Sequence, residues 1–217
     1  MSPRLLFWAV VLLALAGIAW CFVPRGGSIT STAGYANVAS VAPCPLPPGV
    51  QPDATPLQTP VPSGIANFVH GDARVLPQAG FSIEARVLSR EDYHLGREAD
   101  YAPTDLALGW GRMRDDAVLS RLDNSQGGRW YHYRWRGDPP IPPREIVRSS
   151  ANMHIIPADG RVADALDAVR EGDRVRIDGW LVNVEAGDGW RWRSSLSRED
   201  SGGGACEVVY ACAISTE

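Results

Sequence analysis

The segment RVADALDAVREGDRVRIDGWLVNV, residues 161–184, changes its hydrophobic period partway along. Val162, Leu166 and Val169 recur at i, i+4 and i+7, which is one face of a helix. Gly172 supplies the stop signal. Val175, Ile177 and Leu181 then alternate with Arg174, Arg176 and Asp178, the pattern of a half-buried strand. Gly179 falls inside that strand, where a missing Cβ marks a bulge or a bend. Val182 to Val184 are placed to extend it. A helix feeding directly into such a strand is the firmest structural statement in the chain.

Other segments have strand character. Phe81 to Leu88 alternates, and RWYHYRWR (129–136) is aromatic-rich. Residues 145–156, EIVRSSANMHII, read as a longer extended run bent near Ser149 to Asn152. Glu185 to Gly189 has hairpin-turn chemistry, and Trp190 and Trp192 share one face of the strand that follows. Glu207 to Ile214 reads as a last short strand. A weaker helix fits Asp115 to Leu122. TDLALGWGRMRDD (104–116) reads as a loop within a long insertion, Glu91 to Gln126.

The expected fold class is therefore mainly β, with one or two helices. The order of three strands, a helix and two or three more strands resembles the OB-fold, a small Greek-key barrel. The phrase EGDRVRIDGWLV resembles the fourth strand of such domains. LALGWG, SSANMHIIPA and GACE are also similar to phrases of an uncharacterised family of bacterial membrane-anchored proteins. That resemblance implies an envelope location and no particular reaction.

Residues Leu5 to Val23 contain no charged residue and are all apolar or small. At ~1.5 Å rise per residue this stretch approaches the ~30 Å hydrocarbon core. Three readings stand: a single retained transmembrane helix, a cleaved signal peptide, or a lipoprotein built on Cys21. Each puts the rest of the chain outside the cytoplasm, and the first gives a single-pass bacterial inner-membrane protein. Residues 24–64 hold nine of the 17 prolines and read as an extended tether. The expected domains are an anchor (1–23), a linker (24–64) and an extracytoplasmic β domain (65–217).

The net charge of −4 and the compartment argue against a nucleic-acid partner. An envelope protein, a peptide or a glycan suits the location better. All 21 basic residues are arginine, which excludes Schiff-base, Ser–Lys and P-loop lysine chemistry. There is no HExxH, GxSxG or CxxC motif, and no cofactor is expected.

Three residue sets could carry chemistry. Cys206, His154 and an acid, Glu207 or Asp105, supply the types for thiol-based acyl transfer. His94, His132 and His154, with a cysteine, could converge on a metal, although no paired ligand spacing suggests it and none is expected. An aromatic–arginine surface could bind a ligand through Trp110, Arg112, Trp130, His132 and Arg134, by stacking and cation–π contact. On RWYHYRWR, Tyr131, Tyr133 and Trp135 share one face; Trp130, His132 and Arg134 share the other, which is the better exposed candidate.

An oxidising compartment makes disulfides available. Cys206 and Cys212 on one strand lie roughly 20 Å apart, against the ~7 Å a disulfide permits. Cys44 could reach either one.

Overall fold

The computed structural model describes residues 44–199 and 204–217. The expected anchor and linker residues 24–43 lie outside the described residues. Among the described residues, no helix is long and apolar enough to cross a membrane.

The elements are, in chain order, β1 (Leu57–Thr59), β2 (Phe68–His70), β3 (Ala73–Asp92), α1 (Arg97–Tyr101) and β4 (Thr104–Gly109). A 3-10 turn, Gly111–Arg114, leads to α2 (Asp116–Leu119), β5 (Asp123–Gly127), β6 (Trp130–Arg134) and α3 (Pro143–Arg148). Then come β7 (Ser150–Pro157), α4 (Gly160–Ala168), β8 (Arg174–Ala186), β9 (Arg191–Arg193) and β10 (Glu207–Thr216).

The protein is mainly β, and its central sheet closes into a ring. β3 pairs with β4, β4 with β7, β7 with β10, β10 with β8, and β8 again with β3. All of these pairs are antiparallel except β7–β10. The long β3 makes this possible: its first part runs along β8 and its last part along β4. Register shifts at Pro77/Ala79 and Val87/Ser89 bend it on the way.

Strand alternation sends one set of side chains inside the ring. Phe81, Ile83, Leu106, Leu108, Met153, Ile155, Ile177 and Val209 are fully buried there. Helix α4 adds Val162 and Leu166 to this core, with Val169 just past its end. Its ends are satisfied from the side chains around it. Asp159 accepts from Val162 N at 3.0 Å, and this bond holds its carboxyl below the usual carboxylate range. Arg90 donates to the carbonyls of Leu166 and Val169 at the C-terminal end, where Leu166 O also accepts from Val169 N at 3.1 Å.

Two further apolar clusters cover outer faces. Trp180, Val182, Val208 and Tyr210 lie in one, and Met113, Ile141, Ile146 and Leu88 in the other. The two-stranded sheet of β5 and β6 belongs to the second region, with Tyr131, Tyr133 and Trp135 packed on that cluster.

Three expectations need correction. Residues 44–64 are not a free tether. Trp180 Nε1 donates to Pro45 O at 2.8 Å, and Val50 N donates to Ser82 Oγ at 2.7 Å. β1 pairs with β3, and Cys44 is bonded to Cys212. Prolines lack donors, yet their carbonyls still accept, so the segment docks on the ring instead of being held off it. The folded part thus begins near Cys44, not Ile65. Second, Thr104–Gly109 is a ring strand rather than a loop. Third, the run 145–156 is not extended throughout, because α3 occupies its start, with Pro143 at the first helical turn.

Candidate functional site

Antiparallel register places Asp105 of β4 directly opposite His154 of β7. Leu106 and Met153, their neighbours, face the ring interior. Alternation therefore turns Asp105, Asn152 and His154 outward together. They are nevertheless buried, at 0%, 5% and 4% exposure, because other elements cover them.

The cover is the β5–β6 hairpin and β9. The hairpin turns through Arg129, whose φ of 71° is unusual for a residue with a side chain. That conformation aims its guanidinium inward, where Nη1 donates to Asp105 Oδ1 at 2.7 Å and to Ala102 O at 2.9 Å. The guanidinium carbon lies 3.9 Å from the centre of the Tyr93 ring, and Tyr93 OH accepts from Arg129 N at 2.9 Å. Asn152 Nδ2 donates to Asp105 Oδ2 at 3.2 Å and to Arg129 O at 3.1 Å, while its Oδ1 accepts from Gln126 at 2.6 Å. Trp192 of β9 covers the imidazole of His154, with ring centres 4.7 Å apart.

Asp105 Oδ1 is 2.9 Å from His154 Nδ1, a close polar contact that is not aligned as a hydrogen bond. Asp105 is thus shared between an arginine and a histidine. Cys206 approaches from the start of β10, with Sγ 3.8 Å from Arg129 O.

Two clefts meet at this point, and Trp130 and Cys206 line both. One, of about 140 Å³, runs under the hairpin between Trp110, Trp130, Tyr131 and Tyr133 and reaches Asn152 and Arg198. Tyr131 donates to Asn124 Oδ1 at 2.8 Å, and burial raises its phenol pKa, so it stays protonated. The other cleft is wider, about 490 Å³, and is flanked by Arg129, His154, Arg191, Trp192 and Arg193.

The sequence-selected residues separate accordingly. Cys206, His154 and Asp105 come to one place. Glu207 does not join them; it is buried and paired with Arg198. Trp110 and Trp130 share the smaller cleft, although Trp110 is only 2% exposed and belongs to the ring core, whereas Trp130 is 42% exposed. Arg112 is turned away into a bidentate pair with Glu145. His132 and Arg134 are exposed on the hairpin, as strand parity predicts, but Arg134 lines a different recess beside Trp135. Among the described residues, no three His, Cys, Asp or Glu side chains group as a metal set, so His94, His132 and His154 do not converge.

Cys44 pairs with Cys212, one of the two partners the sequence leaves open, and Cys206 lies outside that bond.

Sequence reasoning missed Arg129, Asn152, Tyr93 and Arg193 as members of the site. The glycine pair 127–128 ahead of Arg129 marks the turn, but only the fold shows what that turn faces. No family model, curated protein or solved structure matches the chain.

Proposed function

We propose that the protein is a membrane-anchored, extracytoplasmic binding module of the bacterial envelope, built on an OB-like barrel. The observation that carries the binding role is the aromatic cleft between the β5–β6 hairpin and the ring. Its lining of Trp110, Trp130, Tyr131 and Tyr133 offers flat apolar faces with a few polar groups, the usual make-up of a ligand site. An envelope protein, peptide or glycan is the partner class.

The OB-like reading is supported by the ring order, by the parallel pairing of β7 with β10, and by α4 standing between the third and fourth ring strands. The apolar run Leu5 to Val23 supports the anchor. The Cys44–Cys212 bond favours an oxidising compartment.

A photoreactive amino acid at position 130 of the full-length protein in its native membrane tests the binding role. The expected result is a recurring, light-dependent adduct that the same probe at exposed Val69 does not give. No adduct, or identical adducts from both positions, would sink it.

A second reading, a thiol-dependent envelope hydrolase or transferase, is favoured by one observation: Cys206 and His154 line the same cleft, with Asp105 against the imidazole. Mild alkylation followed by mass mapping separates the two readings. Fast labelling of Cys206 that falls in His154→Ala supports the enzyme; an inert Cys206 in folded protein removes it.

A further inference from the structure

The wider cleft has a charge pattern that the rest of the chain does not lead one to expect. The protein carries 25 acidic and 21 basic residues. Yet Arg129, Arg191 and Arg193 all line this one cleft together with His154, and no carboxylate among the described residues lines it. Among the described residues, Asp105 and Glu185 near the cleft are already engaged. Asp105 is held by Arg129 and His154, and Glu185 is paired with Arg74 at 2.8 Å and lies 3.6 Å from Arg191. Arg193 has no ion pair or side-chain hydrogen bond among the described residues, although it stands in the same three-residue strand as Arg191.

A second, independent feature points the same way. Arg129 Nη2 is buried and has no hydrogen-bond partner among the described residues. Its sister Nη1 is fully engaged by Asp105 and Ala102. A buried guanidinium nitrogen with idle N–H groups costs stability unless an acceptor arrives. Bidentate binding of an oxyanion is the chemistry a guanidinium suits best.

The flanks are aromatic. Trp192 stands on one side, with its ring centre 5.8 Å from the Arg129 guanidinium carbon, and half-exposed Trp130 stands on the other, at the junction with the smaller cleft.

We propose that this cleft binds an oxyanion, a carboxylate or a phosphate, carried on a flat or apolar body. Arg129, Arg191 and Arg193 hold the anion, and the body reaches past Trp130 into the aromatic cleft. The inference rests on the binding-module reading and narrows its ligand to an anionic one.

The test uses full-length protein in detergent, titrated with phenyl phosphate, benzoate and neutral benzyl alcohol. Binding is followed at the indole N–H signal of Trp192, assigned with Trp192→Phe. Both anions are expected to bind about tenfold or more tightly than the alcohol. Raised salt should weaken them, since the two outer arginines are exposed. The double variant Arg191→Ala, Arg193→Ala should lose about tenfold in anion affinity while leaving the midpoint of unfolding unchanged. Phenyl phosphate outbinding benzoate assigns a phosphate ligand; the reverse assigns a carboxylate.

Equal binding of anion and alcohol, or anion binding untouched by the double variant, overturns the inference. So does the absence of any saturable response to the anions. A crosslinked partner at position 130 in the native membrane, together with any of these negative results, would leave the binding module standing and remove the anion site alone.

Discussion

At the scale of single residues, Asp105 is the side chain on which the candidate site depends most. It is completely buried and meets three partners: Arg129, Asn152 and His154. Asp105→Ala leaves the Arg129 charge buried beside no carboxylate, at a cost of about 3–5 kcal/mol. Adding Arg129→Met should recover part of that loss, because the uncompensated charge then goes as well. Urea denaturation of the two variants checks the sign; a double variant weaker than the single would contradict it. His70 offers a separate pH test. It packs near Tyr101 and Tyr210, with ring centres 6.4 and 6.1 Å away, and burial lowers its pKa. A lowered folded pKa means that the unfolded chain takes up the proton first. Stability from this group is present above the ordinary value of 6.5 and is lost as pH falls through the folded value. His70→Phe should therefore flatten the fall in stability below about pH 6.5, seen as a smaller drop in denaturation midpoint than the native protein shows.

At the scale of elements, the closure of the ring depends on how near β8 and β10 approach. Gly179 of β8 pairs with Ala211, and a Cβ there would run into the Tyr210 carbonyl oxygen, a backbone atom that cannot swing aside. The register of β10 shifts immediately after, between Ala211 and Ala213. Gly179→Ala should cost at least about 1–3 kcal/mol, the range for overpacking, and hydrogen exchange should speed up at Tyr210 and Ala211 before it does in β4. Unchanged exchange there would mean that the strands can part without loss. Gly179 and the α4–β8 pair were legible in the sequence because their faces differ: one side of each packs inward and the other meets solvent, so polarity records the period. β4 was not legible. All six of its residues are buried, and TDLALG therefore lacks the alternation that identifies a strand. The start of residues 145–156 was misread for a related reason, since α3 is six residues long and too short to show a helical period. The cluster of Asp105 and His154 was legible only as a set of residue types. Their contact comes from the β4–β7 register, and the part played by Arg129 comes from a turn that folds a separate hairpin over that register.

At the scale of the whole molecule, the segment of residues 44–64 is structural, and the disulfide is its fastening. Cys44 and Cys212 are 168 residues apart, so their bond closes nearly the full folded chain. On the loop-entropy view, a closure of that length destabilises the unfolded state by roughly 5 kcal/mol. The same segment contributes the Pro45 carbonyl to Trp180, the Val50 N–H to Ser82 and a short edge strand to β3. Opening the bond should therefore act in two ways. Cys44→Ser should lower global stability by about 2–5 kcal/mol, read as a shift in denaturation midpoint. It should also loosen the segment locally, where only noncovalent contacts then remain: a three-residue edge strand, the Pro45 and Val50 bonds, and side-chain bonds such as Arg176 to Val50 O and Arg114 to Asp53. Hydrogen exchange separates the two effects. Val50 and Thr59 amides should speed up strongly under native conditions, while Leu181 and Val209, deep in the ring, follow only the global change. If residues 44–64 were merely a linker clipped to the ring, their amides would exchange fast even with the bond intact, because the loop-closure effect on the midpoint needs no contact between the segment and the ring. Slow Val50 and Thr59 exchange in the native protein that speeds up in Cys44→Ser is the result that makes the segment part of the domain.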